Sequence, residues 1–319
     1  MAGLRAMCAT AAPRNVVLGI GDDAAVWRPS RSNLSVITTD ALVEDIHFTL
    51  TGMSAEDVGH RALAANLSDI AAMGARPVLA TIALGVNARS DEAWIRGCYA
   101  GMIALAARAG CAIAGGDITR SPVISLAITV VGEVRSSNCK RRDGARPGDI
   151  IALTGPLGAS RAGLEIVRSH PGRAEEDALA PAVAAFRRPE PRLPEGRWFG
   201  ASHNVHALMD SSDGLSTDLA RMCVASGVGA TIDAVPVHAA ARAVAALTGD
   251  EAESYALDGG EDFELIAAVA PRPFGYLASR FRARFGRDLV RVGTFTAGGG
   301  VRHASGTAIV SSGWDHLRT

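Results

Sequence analysis

The sequence predicts a mixed α/β or α+β protein built from two domains. Strand-like apolar runs and helix-like amphipathic stretches occur in both halves of the chain, and 319 residues are enough for two domains. Residues 141–149 form a polar, turn-rich break between the halves. We therefore predict one domain over residues 1–140 and a second over residues 141–319. A hydrophobic content of 48% is sufficient for a sizeable core.

Strands and helices alternate through the N-terminal half. Short apolar runs predict strands at residues 16–18 and 34–38. Ser54 begins a helix that continues through an alanine-rich segment to Gly74, since glycine is a common C-terminal stop. The remaining elements are predicted as a strand at 78–85, a helix at 91–109, and strands at 111–114 and 124–134.

The C-terminal half shows the same alternation. A strand at 150–154 and a helix at 160–169 precede a proline-stiffened connector at 187–194. The elements that follow are predicted as strands at 205–209, 230–233 and 265–269, with helices at 214–225 and 274–284.

Composition excludes several classes of function. A formal net charge of -1 gives no reason to expect nucleic acid or an anionic membrane as a partner. No apolar run is long enough for a bilayer span, and the first fifteen residues lack the apolar core of a signal peptide, so we expect a cytoplasmic protein. The five cysteines are scattered and form no CxxC pair, which argues against a disulfide framework or a zinc site.

Lysine usage narrows the possible phosphate chemistry. Lys140 is the only lysine, and its surroundings do not match the GxxxxGK[ST] motif of a P-loop. The single lysine likewise argues against a Schiff-base lysine or the catalytic lysine of a protein kinase. If this chain handles nucleotide phosphates, metal ions and arginines must do so.

Six carboxylate-bearing turn motifs, each after an apolar run, are the strongest functional signal. Gathered carboxylates repel one another unless cations hold them together, so this pattern indicates several hard divalent metals and hence phosphate chemistry. The motifs are Gly19-Ile20-Gly21-Asp22-Asp23, Thr38-Thr39-Asp40, Asn66-Leu67-Ser68-Asp69, Gly115-Gly116-Asp117, Asp210-Ser211-Ser212-Asp213-Gly214 and Gly259-Gly260-Glu261-Asp262.

Each motif also has a structural alternative. Residues 19–24 imitate a GxGxxA dinucleotide fingerprint, but a loop rather than a helix follows them, so we reject that reading. The 38–40 motif could be a plain strand-end turn, and Asn66 and Asp69 could lie on a solvated helix face. Asp213 could be no more than the N-cap of the helix that follows it, although capping would not explain Asp210. A lone histidine such as His47 is usually an ordinary packed residue.

Taken together and in their order, these motifs resemble those of the thiamine-monophosphate kinase family, within the PurM-like superfamily related to aminoimidazole ribonucleotide synthetase. The resemblance extends from about Gly19 to His316. Besides the six motifs it rests on His47-Phe48, Ile70-Ala71-Ala72-Met73-Gly74-Ala75, Arg142-Asp143-Gly144-Ala145, Gly155-Pro156-Leu157-Gly158 and Gly313-Trp314-Asp315-His316.

The resemblance implies a PurM-like fold, with an N-terminal domain that forms a homodimer through its sheet and a C-terminal α/β domain. It also implies three sets of site residues. Magnesium would be bound by Asp23, Thr38, Thr39, Asp40, Asp69, Asp117, Asp210 and Asp213. ATP would contact Tyr99, Gly116, Asp117, Arg142 and Ser212. Thiamine monophosphate would contact His47, Glu261 and Trp314.

The implied reaction is ATP-dependent phosphorylation of thiamine monophosphate to thiamine diphosphate by direct in-line transfer. The acceptor phosphate is largely dianionic at neutral pH, so no catalytic side chain is expected to act as a base. Two alternatives remain open. One is another PurM-like ATP-dependent enzyme, such as a selenophosphate synthetase, an aminoimidazole ribonucleotide synthetase or a hydrogenase-maturation dehydratase. The other is a non-catalytic sensor of nucleotides or thiamine phosphates.

Overall fold

The computed structural model describes residues 7–8, 15–18, 24–310 and 313, and the chain divides into two compact units. Unit 1 contains the chain up to Ile70 together with Ala75–Ser137, and unit 2 contains Ala71–Gly74 and the chain from Asn138 onwards. Both units contain strands and helices, so the predicted mixed α/β class is confirmed. A domain boundary between residues 140 and 141 stays a prediction.

Unit 1 is built on a four-stranded sheet in the order β3-β6-β4-β5. Its strands are antiparallel except for the β4–β5 pair, which is parallel. A short β1–β2 pair packs against the apolar residues of this sheet. The elements are β1 (Val16–Leu18), β2 (Val26–Trp27), β3 (Asn33–Val43), α1 (Ala55–Ala72), β4 (Arg76–Val86), α2 (Glu92–Ala109), β5 (Ala112–Arg120) and β6 (Ser125–Arg135).

Two strands of unit 1 are longer than the sequence predicts. β3 continues to Val43 rather than ending near residue 38, and β5 continues to Arg120 rather than ending near 114. The motifs at 38–40 and 115–117 therefore lie within strands, and the interpretation of them as turns is wrong. Both strands lie at the edges of the four-stranded sheet, so each pairs with a strand of that sheet on one side only. Polar residues and glycine are tolerated at such edges.

Unit 2 is built on a seven-stranded sheet in the order β13-β12-β9-β11-β7-β10-β8, mixed in direction. Its strands are β7 (Ile150–Leu153), β8 (Val205–Asp210), β9 (Gly229–Ile232), β10 (Leu265–Val269), β11 (Val290–Thr296), β12 (Val301–His303) and β13 (Ala308–Ile309). Its helices are α3 (Ala159–Ser169), α4 (Ala180–Arg187), α5 (Leu193–Gly200), α6 (Leu215–Ser226), α7 (Ala239–Thr248), α8 (Ala252–Leu257) and α9 (Phe274–Phe285).

The core of unit 2 lies between this sheet and its helices. The central strands β7 and β10 are buried along their whole length, as expected for strands covered on both faces. The predicted connector at 187–194 is shorter than expected, because Arg187 ends α4 and Leu193 begins α5, with proline in the first turn of that helix. Within the described residues, no helix is long and apolar enough to cross a membrane.

Candidate functional site

One candidate region lies in unit 1, where β3 meets α1. The Thr38 hydroxyl donates a hydrogen bond to the Asp69 carboxylate, and the main-chain N–H of Asp40 donates to Asn66 Oδ1 at 3.1 Å. We call Thr38, Asp40, Asn66 and Asp69 the unit 1 oxygen cluster. Thr38 and Asp40 are two residues apart on one strand, so their side chains point to the same face of the sheet. The structure therefore brings these four predicted polar residues together.

Asn66 explains why a polar residue interrupts an apolar helix. It is completely buried, its Nδ2 donates to the Ala62 carbonyl at 3.1 Å, and its Oδ1 accepts the edge N–H of Asp40. A buried main-chain donor without a partner would be costly, and Asn66 removes that cost. The alternative of a solvated helix face is wrong for Asn66. Asp69, one helical turn further on, is only partly buried.

Other predicted ligands in unit 1 lie on the opposite face of the sheet. Thr39 lies between Thr38 and Asp40 on β3, so its side chain points to this opposite face, here called the outer face. Its hydroxyl donates to the Ile128 carbonyl at 3.1 Å.

Residues paired in register on neighbouring strands point to the same face of a sheet. Asp117 of β5 is linked in this way, through Ala83 and Ala127, to Ala41 of β3, which is two residues after Thr39. The Asp117 side chain therefore points to the outer face as well. β5 is three strand spacings, about 14 Å, from β3. Within one chain, Thr39 and Asp117 are therefore too far apart to bind one ion. The exposed Gly116 is adjacent to Asp117 on β5.

The two remaining predicted contacts of unit 1 differ in accessibility. His47 is half-buried in the loop after β3, and its Nδ1 accepts the Val43 main-chain N–H at 3.0 Å. A neutral His47 ring therefore carries its proton on Nε2. Tyr99 is only 5% exposed on α2, and burial raises the pKa of its hydroxyl to about 12. The structure thus places Tyr99 in the interior of unit 1.

A separate candidate region in unit 2 is the turn between β8 and α6. The buried Asp210 ends β8 in register with Leu265. The main-chain N–H groups of Ser212 and Asp213 both donate to Asp218 Oδ2 at 2.9 Å. Asp218 is completely buried in the first turn of α6. One carboxylate therefore fixes the backbone of the whole turn.

Asp213 does not cap α6, so that alternative is wrong. The N-cap position is Gly214, which has no side chain, and the Asp213 carboxylate pairs with the Arg221 guanidinium. Arg221 Nη1 also donates to Asp218 Oδ1 at 3.1 Å. The sequence analysis missed both Asp218 and Arg221. An acidic residue in the first helical turn after the motif was the available signal, since such residues satisfy free N–H groups.

The Asp218 carboxyl makes the stability of unit 2 depend on pH. Burial raises its pKa from an ordinary 3.8 to about 6, with the nearby Asp213 charge adding to the rise. Between these two values the folded state holds a proton that the unfolded state has released, so stability falls as pH rises and then levels off above the folded pKa. In EDTA, the thermal unfolding midpoint of the unchanged protein should fall between pH 4 and about 6.5. We expect a smaller fall over the same pH range in Asp218→Asn, which lacks this carboxyl group.

The control for this measurement is Asp288→Asn, which changes a carboxylate whose side chain is 68% exposed in the same unit. In this variant the thermal unfolding midpoint should change with pH as it does in the unchanged protein. Identical slopes for Asp218→Asn and the unchanged protein would contradict the assigned pKa.

A loop before β10 lies against the same turn. The Glu261 main-chain N–H donates to the Ser212 carbonyl at 2.9 Å. A side chain at Gly260 would place its Cβ 2.1 Å from that carbonyl oxygen, so only glycine allows this close approach. Burial raises the pKa of the Asp262 carboxyl to about 7. Predicted contacts Ser212 and Glu261 are thus brought together in unit 2.

Three further predicted residues are less well placed. Arg142 is exposed in unit 2, and its carbonyl accepts the Ser226 hydroxyl at 2.8 Å. Asp23 and Trp314 lie outside the described residues. The glycine before Trp314 is described, and its N–H donates to Thr217 Oγ1 at 3.2 Å. A Cβ at Gly313 would be 2.0 Å from the Asp213 carbonyl oxygen, so the terminal motif begins beside the 210–213 turn.

The donor chemistry of both regions suits a hard cation. Carboxylates, hydroxyls and an amide are oxygen ligands of the kind that Mg²⁺ prefers. No group of three or more carboxylate, histidine or cysteine side chains arranged to hold a metal occurs among the described residues. That is compatible with Mg²⁺, which is commonly held by one or two carboxylates plus substrate phosphates and water. The residues present therefore fit magnesium delivered together with a phosphate ligand.

Comparison with known proteins identifies the family. Residues 21–134 match the AIR synthase related protein N-terminal domain, and residues 146–304 match the corresponding C-terminal domain. A thiamine-monophosphate kinase of Synechococcus elongatus is 38% identical over 261 residues, covering 79% of this chain and 77% of the relative. The chain belongs to the thiamine-monophosphate kinase family. The resemblance seen in the sequence motifs is thereby confirmed, as is the PurM-like two-domain fold.

Solved structures of this family agree with the assignment. Thiamine-monophosphate kinase from Stenotrophomonas maltophilia K279a is 34% identical with a TM-score of 0.86 and covers 96% of each chain. AaThiL complexed with AMPPCP and TMP is 30% identical with a TM-score of 0.79, covering 93% of this chain and 92% of that one. The hydrogenase maturation protein HypE in complex with ATP, at 22% identity and a TM-score of 0.74, shares the fold alone.

Proposed function

We propose that this protein transfers the γ-phosphoryl group of ATP to thiamine monophosphate, giving thiamine diphosphate and ADP in thiamine diphosphate biosynthesis. The observation that carries the proposal is the 38% identity to a thiamine-monophosphate kinase across 79% of the chain. The complex of a 30% identical relative with AMPPCP and TMP supports both substrates. We also propose a cytoplasmic location for the protein.

The chemistry needs positioning and charge neutralisation more than proton transfer. An oxygen of the thiamine monophosphate phosphate would attack the γ-phosphorus of ATP, and the bond from that phosphorus to the bridging oxygen of ADP would break. Because the attacking oxygen already lacks a proton at neutral pH, no side chain need act as a base. The task of the chain is then to hold two anions in line.

We assign the magnesium ligands to both units. Asp40 and Asp69 of the unit 1 oxygen cluster supply the charged ligands there, and Asp210 and Asp213 supply those of unit 2. Bound Mg²⁺ would neutralise the facing phosphates and orient the attacking and leaving oxygens. The full proposed ligand set is Asp23, Thr38, Thr39, Asp40, Asp69, Asp117, Asp210 and Asp213.

We assign the remaining contacts as follows. ATP would contact Tyr99, Gly116, Asp117, Arg142 and Ser212, of which Tyr99 is buried and so needs a local shift to reach a ligand. Thiamine monophosphate would contact His47, Glu261 and Trp314. His47 would present its Nε2 side, since Nδ1 is engaged by the Val43 N–H.

The proposed homodimer would use the outer face of the unit 1 sheet. Ile37 on this face is 66% exposed, and Ala41 and Ala127, which pair in register on the same face, are exposed as well. Exposed apolar residues grouped on a sheet face are typical of an interface. Thr39 and Asp117 also lie on this face, too far apart in one chain to share an ion. Two subunits with these faces together would let one supply Thr39 and the other Asp117.

Ile37→Lys is expected to convert the dimer into a monomer, because it places a charge in an apolar interface. Sedimentation velocity at several protein concentrations measures the change. Val224→Lys is the matched control, since Val224 is 84% exposed on α6 of unit 2 and should leave the dimer intact. A monomeric unchanged protein, or a dimer that survives Ile37→Lys, would contradict the proposal.

The proposed activity is tested by incubating the protein with ATP, Mg²⁺ and thiamine monophosphate and separating the products by chromatography. We expect thiamine diphosphate and ADP in equal amounts, and neither in EDTA. A folded protein that binds ATP with Mg²⁺ but forms no product would favour the sensor. Product from a different acceptor only would favour another PurM-like enzyme.

A further inference from the structure

The loop from Gly259 to Glu264, here the 259–264 loop, has an unusual backbone. Glu261 has φ 64° and Phe263 has φ 51°, which are left-handed conformations that residues other than glycine rarely adopt. Each such residue costs free energy and persists only where the surrounding structure enforces it. Two of them within three residues indicate that this loop is held in place by strong contacts.

One set of contacts comes from the main chain. Glu261 N–H donates to the Ser212 carbonyl at 2.9 Å, Phe263 N–H to the Ser211 carbonyl at 3.1 Å, and Ser211 N–H to the Glu264 carbonyl at 2.8 Å. These bonds extend the β8–β10 pairing into the loop. They fix the distance of Glu261 from the 210–213 turn, but they do not by themselves select the left-handed conformation.

The Asp262 side chain holds the loop at the centre of its strained part. Its two carboxylate oxygens accept the main-chain N–H groups of Gly158 at 2.6 Å and Ser160 at 3.0 Å, at the start of α3. Asp262 lies between the two left-handed residues, so its contact with α3 holds the part of the loop that contains both of them.

The Glu264 side chain provides a second anchor. It is buried, and it accepts hydrogen bonds from the Thr154 hydroxyl at 2.5 Å and Arg192 Nη2 at 2.8 Å, with a further one from Arg287. Arg287 also donates from Nε to the Thr154 carbonyl at 2.8 Å. A buried carboxylate between two guanidiniums is held strongly, because displacing it leaves buried charges unpaired. The loop is thus fixed at both Asp262 and Glu264.

We infer that Asp262 and Glu264 are positioning residues for the acceptor substrate, because they hold Glu261 in its left-handed conformation against the Ser211–Asp213 backbone. The inference rests on the proposed function, in which Glu261 contacts thiamine monophosphate. This role requires no contact between either carboxylate and the substrate. Their loss lets Glu261 leave the orientation that the bound substrate requires, and binding must then restore it at the expense of affinity.

The test compares Asp262→Ala with Asp262→Asn, which keeps one acceptor oxygen. We expect Asp262→Ala to raise KM for thiamine monophosphate about tenfold, Asp262→Asn to raise it less, and neither to change the Kd for AMPPCP with Mg²⁺ more than about twofold. Hydrogen exchange of the peptide covering residues 258–265 should be faster in the same order. If Asp262→Ala does not fold, Asp262→Asn gives the result.

The matched control is Asp91→Ala. Asp91 also caps a helix, since its Oδ1 accepts the Trp94 N–H at 2.7 Å at the start of α2 in unit 1. A purely structural role of Asp262 predicts that both variants lose stability and neither changes KM. Equal KM values for Asp262→Ala and Asp91→Ala would overturn the inference. The two claims can fail separately. If the unchanged protein forms no thiamine diphosphate, the proposed function fails. If hydrogen exchange at residues 258–265 is the same in Asp262→Ala as in the unchanged protein, the positioning role fails.

Discussion

Asp69→Asn is expected to lower kcat about 100-fold or more while the protein stays folded. Asn retains a carbonyl oxygen that can accept the Thr38 hydroxyl, so the link between β3 and α1 survives. What is lost is a negative charge in a cluster that would bind Mg²⁺. Removing one of two neighbouring carboxylates also relieves repulsion in the metal-free protein, so we expect its unfolding temperature to be unchanged or raised.

The measurement is steady-state turnover at saturating ATP and thiamine monophosphate, repeated over a range of Mg²⁺ concentrations. Glu92→Gln is the control, because its side chain is 78% exposed on α2 of the same unit. It should have the turnover of the unchanged protein. Near-normal turnover in folded Asp69→Asn would contradict the assignment of a metal to the unit 1 oxygen cluster.

Asp210→Asn, a substitution in unit 2, is expected to lower kcat by a factor similar to that of Asp69→Asn. Asp210 is 5% exposed at the end of β8, where the turn held by Asp218 begins. Loss of its charge should weaken Mg²⁺-dependent binding of AMPPCP as well as lowering kcat about 100-fold. Calorimetric titration with AMPPCP, with and without Mg²⁺, separates the two effects.

The control for this variant is Asp288→Asn, which lies in the same unit and should bind AMPPCP as the unchanged protein does. Unweakened, Mg²⁺-dependent binding in Asp210→Asn together with full turnover would remove Asp210 from the proposed ligand set. Weakened binding that is independent of Mg²⁺ would indicate a contact to the nucleotide instead of a metal ligand.

The sequence predicted the elements whose signal is local. The α2 helix is an example, with Asp91 as its N-cap and Gly110 in the left-handed conformation after its end, as the sequence pattern indicates. The strand at Val16–Leu18 was predicted with its observed bounds. Periodicity and caps are properties of neighbouring residues, so they can be read without knowledge of the fold.

Features that depend on tertiary contacts were not predictable in the same way. Asp40 was expected in a turn, yet it lies inside β3, where it pairs in register with Ile128 of β6 and the buried Asn66 of α1 accepts its N–H. Asn66 is 26 residues further along the chain, and nothing local to β3 indicates that contact. The short alanine-rich helix α4 was missed because few polar residues mark its two faces.

The candidate site shows the same division. The motifs named most of the polar residues, but the sequence did not show that Thr39 and Asp117 point away from Asp40. That separation follows from the alternation of side chains and from the strand order β3-β6-β4-β5. The anchoring role of Asp262 and Glu264 was not predicted, since their partners Gly158 and Arg192 are distant in sequence. Asp218 was missed although its partners lie within six residues of it, because an acidic residue in a first helical turn has many possible roles.

Transfer of an oxygen label tests the central proposal most directly. Thiamine monophosphate carrying ¹⁸O in its terminal phosphate oxygens is incubated with unlabelled ATP and Mg²⁺, and the reaction is followed by ³¹P nuclear magnetic resonance. Direct attack by the acceptor phosphate predicts thiamine diphosphate with ¹⁸O in the bridge between its two phosphorus atoms, and unlabelled ADP. Label in ADP, an unlabelled bridge, or release of inorganic phosphate without any diphosphate would contradict the account.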